Sequence, residues 1–113
     1  MAYDEALAER IRAAVAGLYA GQVVEKRMFG GLAFLVNGNM AVAAQGSAPG
    51  LMVRVDPDQA DRFAAEPGAA IMQMRGRAMR GWITVEQDAV AKPADLRRWV
   101  KRGIEYSTSL PPK

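Results

Sequence analysis

Apolar residues recur at helical spacing near each end of the chain. The first series is Leu7, Ile11, Val15 and Leu18, and the second is Leu96, Trp99, Val100 and Ile104. Such spacing places the apolar side chains on one face of a helix. Asp4 and Glu5 lie at the start of the first helix, where the helix dipole favours negative charge, and Pro93 opens the second. We therefore predict a helix at each end, packed by one face on a sheet, and we expect the tail from Ser107 to be frayed.

Between these helices the pattern changes to the short apolar runs and alternation that are typical of strands. Asn37 and Gly38 separate two such runs, and both residues tolerate the positive φ angles that a two-residue type I′ hairpin turn requires. This turn would pair Phe34 with Ala41 across the hairpin. The glycine pair Gly30–Gly31 indicates a bend in the chain as it enters the first of these strands.

The rest of the middle region predicts one more strand, a short helix and a second strand pair. The strand is Leu51–Val55, and Asp56 is placed to cap the short helix that follows it. The second pair consists of Met72–Arg75 and Trp82–Val85, joined by a longer, glycine-bounded connection, Gly76–Gly81. The predicted order is α-β-β-β-α-β-β-α, an α+β fold of two layers in which helices pack on an antiparallel sheet.

Composition removes most catalytic chemistry. The chain has 113 residues, a size typical of one domain, with no cysteine and no histidine. It therefore lacks thiolate nucleophiles and sulfur ligands, and it lacks the commonest general base and metal ligand. We expect no catalytic residues, no cofactor and no zinc, iron or copper. An enzyme or a small-ligand binder stays open as a third class, because a pocket is not visible in a sequence.

The N-terminus is acidic and polar, unlike a signal peptide, and no apolar run reaches the roughly 20 residues of a membrane span, so we expect a cytoplasmic protein. The net charge of +3 is unevenly distributed. Residues 1–66 contain six basic and eight acidic residues, whereas residues 67–113 contain nine basic and four acidic ones. A basic second half favours an acidic partner, either nucleic acid or a protein surface.

Two basic clusters account for this excess, one in the second strand pair and one on faces of the last helix away from its apolar stripe. The candidate surface is Arg75, Arg77, Arg80, Arg97, Arg98, Lys101 and Arg102. A merely solvated face is the alternative. Trp82 and Trp99 could stack on bases, but their apolar surroundings favour the core. Six methionines could likewise form an adaptable groove, but we interpret them as core filler: Met28, Met40, Met52, Met72, Met74 and Met79.

Several segments together resemble the N-terminal domain of the TfoX/Sxy family of bacterial competence regulators. They are Arg27–Leu32 (RMFGGL), Val36–Met40 (VNGNM), Leu51–Val55, Gly76–Trp82 (GRAMRGW) and Ser109–Lys113. The resemblance implies a two-layer α+β fold and a role in transcriptional regulation, in which TfoX acts with the cyclic-AMP receptor protein at competence promoters. It supplies no catalytic residues.

We therefore expect residues 1–113 to form a single domain of this kind, without the second, C-terminal domain of the competence regulators. The leading hypothesis is a non-enzymatic regulatory adaptor that binds a protein, such as the transcription machinery or a regulator. The alternative is direct, weak nucleic-acid binding through the basic C-terminal half.

Overall fold

The computed structural model describes residues 3–28, 30–46 and 50–112, and these contain three helices and six strands. Two short 3₁₀ turns, Pro57–Gln59 and Gln87–Val90, precede the second and third helices. In chain order the elements are α1 (Glu5–Leu18), β1 (Val23–Met28), β2 (Gly31–Val36), β3 (Asn39–Ala44), β4 (Gly50–Arg54), α2 (Ala60–Ala64), β5 (Ala69–Met74), β6 (Arg77–Glu86) and α3 (Pro93–Ser109).

The strands form one antiparallel sheet with the order β1-β2-β3-β4-β6-β5. The predicted α+β class and the succession of its helix and strand regions are confirmed. The apolar runs predicted three strands between the first two helices, and the structure has four there, β1 to β4. This extra strand, β1, is polar at Glu25, Lys26 and Arg27 and lies at the edge of the sheet, so it carries no apolar run.

All three helices pack on the same face of the sheet. The helix α3 lies against β3 and β4, α1 contacts α3, and Phe63 of α2 meets Trp99 of α3 edge to face, with ring centroids 6.1 Å apart. The core between helices and sheet consists of aliphatic and aromatic side chains. Its largest fully buried members are Leu7, Ile11, Phe34, Leu51, Ile83 and Trp99. The carboxylate of Asp4 caps α1 by accepting hydrogen bonds from the first turn, which fixes where this helix begins.

The turn at Asn37–Gly38 is confirmed as a two-residue hairpin, with φ of 55° and 79° at the two residues. The predicted pairing of Phe34 with Ala41 is wrong, because Phe34 pairs with Val42 and Ala41 is the extra residue of a β-bulge. At this bulge α3 comes close to the strand. A Cβ atom on Gly103 would lie 2.4 Å from the Ala41 carbonyl oxygen, so the helix needs glycine there.

The predicted long connection Gly76–Gly81 is also wrong. Arg75 and Gly76 form a two-residue turn, both with positive φ, and Arg77 already begins β6. Arginine rarely adopts positive φ, so the residues Arg75 and Gly76 are a weak signal for a turn of this kind. The hairpin is irregular, because Ile71 pairs with Ile83 whereas the next residue, Met72, pairs with Met79. Residues 80–82 of β6 therefore have no pairing partner in β5. Such an irregularity lets the tip of the hairpin bend relative to the sheet.

The C-terminal segment is attached to the fold instead of frayed. Ser107 is fully buried within α3, and its hydroxyl donates a hydrogen bond of 2.9 Å to the carbonyl of Met40. The buried amide of Asn39 donates to the carbonyl of Pro111 at 3.1 Å. These bonds join the end of α3 to the start of β3. Among the described residues, no helix has the length and apolar character that a membrane span requires.

Candidate functional site

The seven basic residues of the sequence-derived surface do not form one continuous patch. Arg75 and Arg77 flank the tip of the β5–β6 hairpin, whereas the four cations of α3 belong to the helix layer. Arg80 lies in β6, where its Nη2 is 2.8 Å from Asp61 Oδ2 of α2. The hydrogen bond from this guanidinium lowers the pKa of the Asp61 carboxyl below its ordinary value. Arg80 is therefore already paired within the domain.

Two of the four α3 cations also have partners. Arg98 Nη1 is 2.7 Å from Asp95 Oδ1 of the same helix, and this contact raises the pKa of Arg98. Arg97 and Lys101 are exposed and form no ion pair with any residue in the described part of the chain. The pairing leaves Arg97 and Lys101 as the accessible cations of α3.

Arg102 has a packing role. Its side chain is only 19 % exposed, and its guanidinium carbon lies 4.5 Å from the ring centroids of both Phe63 and Trp99. Nη2 contacts Glu66 Oε2 at 2.7 Å, and this hydrogen bond is the main reason why the pKa of Glu66 falls below its ordinary value. The arginine thus joins α3 to α2 by a cation–π contact and an ion pair. The expectation that Arg102 lies on a free helix face is not met.

The opposite face of the sheet carries a surface that the sequence reading missed. In an antiparallel sheet, directly opposed residues project on the same side. One cross-strand row runs through all six strands on the side away from the helices, and none of the described helices covers it. Its members are Lys26, Ala33, Ala43, Met52, Thr84 and Ala70. We call this side the open face.

A groove of about 360 Å³ lies on the open face. Its floor is formed by Ala33 and Ala43, which are 1 % and 4 % exposed although no helix lies above them. Larger side chains surround these alanines and shield them from water. Five of them are methionines: Met28, Met40, Met52, Met72 and Met74.

The bent hairpin forms one wall of the groove. Met72, Gln73, Met74 and Arg75 line it, together with residues of the four strands β1 to β4. The register shift after Ile71 allows this, because it frees the hairpin tip from the plane of the sheet. Two neighbouring segments meet at another wall, where a Cβ atom on Gly46 would lie 2.3 Å from the Gly30 carbonyl carbon. A Cβ atom on Gly31 would likewise lie 2.3 Å from the Ala44 carbonyl oxygen, so glycine at positions 31 and 46 permits close backbone packing beside the groove. The predicted bend at Gly30 has a φ of 78°.

The interpretation of the methionines as core filler is wrong. None of the described methionines is among the buried core residues, and five of the six that we considered line the groove. The residue type alone does not show this, because methionine fills irregular gaps in cores and adaptable binding surfaces equally well. Their spacing does contain a signal, since Met72 and Met74 occupy alternate positions along one strand.

Apolar side chains are also exposed around the groove. Val24 is 47 % exposed and Met79 is 36 % exposed, and Leu35 is half-buried beside Met40, its cross-strand neighbour. Trp82 is half-buried as well, with the guanidinium carbon of Arg54 5.3 Å from its ring centroid. We predicted that both tryptophans belong to the core. The prediction is confirmed for Trp99 and is wrong for Trp82.

The charged side chain among the described residues that line the groove is a cation. Arg75 lines it, and Arg77 faces the same side as Met74, its cross-strand partner. Lys26 extends the row that forms the floor. The lining residues within the described part of the chain include no Asp or Glu. The groove is therefore an apolar channel with a cationic border.

The described residues contain no group of three or more acidic side chains that could hold a metal ion. The titratable groups with clearly shifted pKa values belong to surface or interhelical ion pairs such as Arg12 with Glu25, outside the groove. The lining of the groove offers thioethers, amides and one guanidinium, which suit binding better than acid–base or nucleophilic chemistry.

Comparison with curated proteins and with solved structures finds no match to the chain. The family model of the TfoX N-terminal domain matches residues 13–107, nearly the whole chain. This span includes all six strands, α2 and the groove, together with the C-terminal part of α1 from residue 13 and most of α3. The chain therefore belongs to the TfoX N-terminal domain family.

Proposed function

We propose that this domain is a non-enzymatic regulatory adaptor that acts by binding a partner protein through the open face of its sheet. The observation that carries the proposal is the uncovered apolar surface, in which five methionines border one groove and further apolar side chains stay exposed around it. Contiguous exposed apolar surface marks interaction sites in soluble domains. Membership of the TfoX N-terminal domain family supports a regulatory role for that interaction.

Methionine suits such a surface for a physical reason. Its unbranched, polarisable side chain changes rotamer easily, so a methionine-lined groove can repack around the side chains of a partner. The rigid, branched residues of this protein lie on the helix-covered face instead, where Phe34, Val42 and Val53 are fully buried. The open face is thus adaptable while the sheet that supports it is firmly packed.

In-cell photo-crosslinking tests the proposal. A photoreactive amino acid replaces Met52, which lies on the open face, and in a matched variant it replaces Arg97, which lies on the exposed face of α3. We expect the Met52 position to give a discrete adduct that protease removes and nuclease leaves intact. An adduct formed only from the Arg97 position, or one that nuclease destroys, would overturn the proposal.

The second candidate function is direct, weak nucleic-acid binding through the basic C-terminal half. One observation favours it, namely that Arg97 and Lys101 are exposed and unpaired within the described residues. Against it, Arg80, Arg98 and Arg102 already neutralise acidic side chains of the domain, which leaves fewer cations for phosphates. The nuclease arm of the crosslinking experiment separates the two functions.

A further inference from the structure

We propose that the methionine-lined groove binds an acidic segment of the partner protein that carries one or two large apolar side chains. This inference rests on the proposed function and adds the chemistry of the partner. Three properties of the groove support it: its size, its charge and the apolar surface that continues beyond it.

The size of the groove fits anchor side chains. Its volume of about 360 Å³ lies at the lower end of the range of ligand-sized pockets, roughly 300–1,000 Å³. In protein interfaces a few aromatic or aliphatic anchors that fill such pockets supply most of the binding free energy. Met28, Met52 and Met72 approach the groove from three different strands, so an inserted ring or aliphatic chain would contact thioethers on several sides.

The charge of the border selects an acidic segment. Arg75 lines the groove, Arg77 lies on the same side of the hairpin, and Lys26 lies at the far end of the floor row. None of these three cations forms an ion pair with a described residue, in contrast to Arg80, Arg98 and Arg102. Since none of the described residues that line the groove is acidic, carboxylates beside the anchors would gain attraction, and a basic segment would be repelled.

The surroundings favour a protein over the other occupants. A small amphipathic ligand would leave Val24 and Met79, at 47 % and 36 % exposure, still in contact with water. A nucleic acid would place phosphates over an apolar floor. A second copy of this chain, docked face to face, would bring the same cationic border against itself, and like charges oppose such contact.

Selection from a displayed library of random 14-residue peptides tests the inference with the full chain as the target. We expect enriched peptides to combine Asp or Glu with one or two Leu, Ile, Phe or Trp residues. Enrichment of neutral or basic peptides, or no enrichment at all, would overturn the proposal.

Two charge-reversal variants locate the site. R75E/R77E changes the border of the groove, whereas R97E/K101E makes the same change in net charge on α3. Arg75 already occupies positive φ, so glutamate adds no new backbone strain there. We expect the affinity for an enriched, fluorescein-labelled peptide to fall about tenfold or more in R75E/R77E and to change less than about threefold in R97E/K101E. Equal losses in the two variants would show that only net charge matters.

Methyl-labelled methionine provides a readout that does not depend on mutation. In two-dimensional NMR spectra of wild-type protein, the enriched peptide should shift the methyl signals of the groove methionines: Met28, Met40, Met52, Met72 and Met74. Binding without these shifts would place the peptide elsewhere and contradict the inference. If crosslinking captures a protein from the open face while selection shows no acidic preference, the adaptor function stands and only the partner chemistry is wrong.

Discussion

Two adjacent cross-strand rows of the sheet face in opposite directions and contain different kinds of side chain. On the helix-covered side, the central row runs through Phe34, Val42, Val53 and Ile83, all fully shielded from water. On the open face, the neighbouring row consists of Lys26, Ala33, Ala43, Met52, Thr84 and Ala70. The covered row has branched or aromatic side chains with few rotamers, whereas the open row has small floor residues and a flexible methionine.

This difference separates two tasks within one sheet. Side chains with defined rotamers give a single, dense packing and therefore a stable fold. Small residues bordered by methionines instead leave an adaptable apolar channel. Stability should therefore depend on the covered face and binding on the open face, and substitutions on the two sides should be separable.

Paired truncations provide the strongest test of this comparison. Phe34→Ala should lower the free energy of unfolding by about 3–5 kcal/mol, because it removes a fully buried ring from the core. Met52→Ala, on the opposite, open face and only half-buried, should lower it by about 1 kcal/mol or less. Urea unfolding with unchanged m-values measures both effects. If the two truncations lower the free energy of unfolding equally, the open face is as important for stability as the covered face, and the proposed separation of the two faces is wrong.

A second prediction concerns the ion pair that joins the helices on the covered side. Arg102, and to a smaller extent Arg98, holds the pKa of Glu66 below its ordinary value of 4.5. The folded protein therefore binds this proton more weakly than the unfolded chain does. The resulting stabilisation is complete above about pH 5 and is lost as the pH falls through the lowered pKa. Glu66→Gln should cost about 1–2 kcal/mol at neutral pH, since Arg102 loses a charged partner.

Measurement of unfolding by urea between about pH 7 and pH 3 checks this prediction. The wild type should lose more stability on acidification than Glu66→Gln does, so that the two curves converge at low pH. Asp61→Asn, which breaks the solvent-exposed pair with Arg80, is the control and should leave the pH profile nearly unchanged, because solvent screens this pair. Parallel curves for the wild type and Glu66→Gln would mean that the Glu66 pair does not stabilise the fold.

The third prediction concerns the hairpin that leads from β2 into β3. Gly38 has a φ of 79°, which a β-branched residue strongly resists. Gly38→Val should therefore lower the free energy of unfolding by about 1 kcal/mol or more. Thermal unfolding measures the effect, and Gly17→Ala serves as the control because a Cβ atom meets nothing within 4 Å there and the residue lies in a helix. An unchanged melting temperature for Gly38→Val would contradict the assigned turn.

The sequence allowed the elements to be predicted wherever one local signal dominated. Apolar spacing located α1 and α3, and Asn37–Gly38 located its hairpin. The failures have a common cause in tertiary contacts. The bulge at Ala41 accompanies the approach of Gly103 from α3, 62 residues later in the chain, and no local pattern encodes that distance.

The candidate site was harder to predict than the fold for a similar reason. Arg102 lies off the apolar stripe of its helix, yet Phe63 and Glu66 from α2 enclose it, so a residue expected in solvent became part of the packing. The groove depends on the bend of the β5–β6 hairpin, which brings Met72 and Met74 toward Met28. Met28 and Met72 are more than 40 positions apart, so no local sequence pattern could predict that they line the same groove.

The smallest predicted effect compares the two hairpin turns directly. Both are two-residue turns with positive φ, but the turn between β2 and β3 has Asn37 at the position that Arg75 occupies in the turn between β5 and β6. Asparagine tolerates this conformation better than arginine does, so Arg75→Asn should raise the free energy of unfolding by about 0.5–1 kcal/mol. The same change removes a cation from the groove and should weaken the binding of an acidic peptide.

A gain in stability together with a loss of affinity would indicate that arginine is retained at a strained position for its charge, as expected of a binding residue. Arg75→Lys is the matched control, because it keeps both the strain and the charge and should leave stability and affinity close to those of the wild type. Urea unfolding and fluorescence anisotropy with the labelled peptide measure the two quantities on the same samples. If Arg75→Asn stabilises the domain without weakening the peptide, the cation at the hairpin tip does not contribute to recognition, and Arg77 and Lys26 become the next positions to reverse.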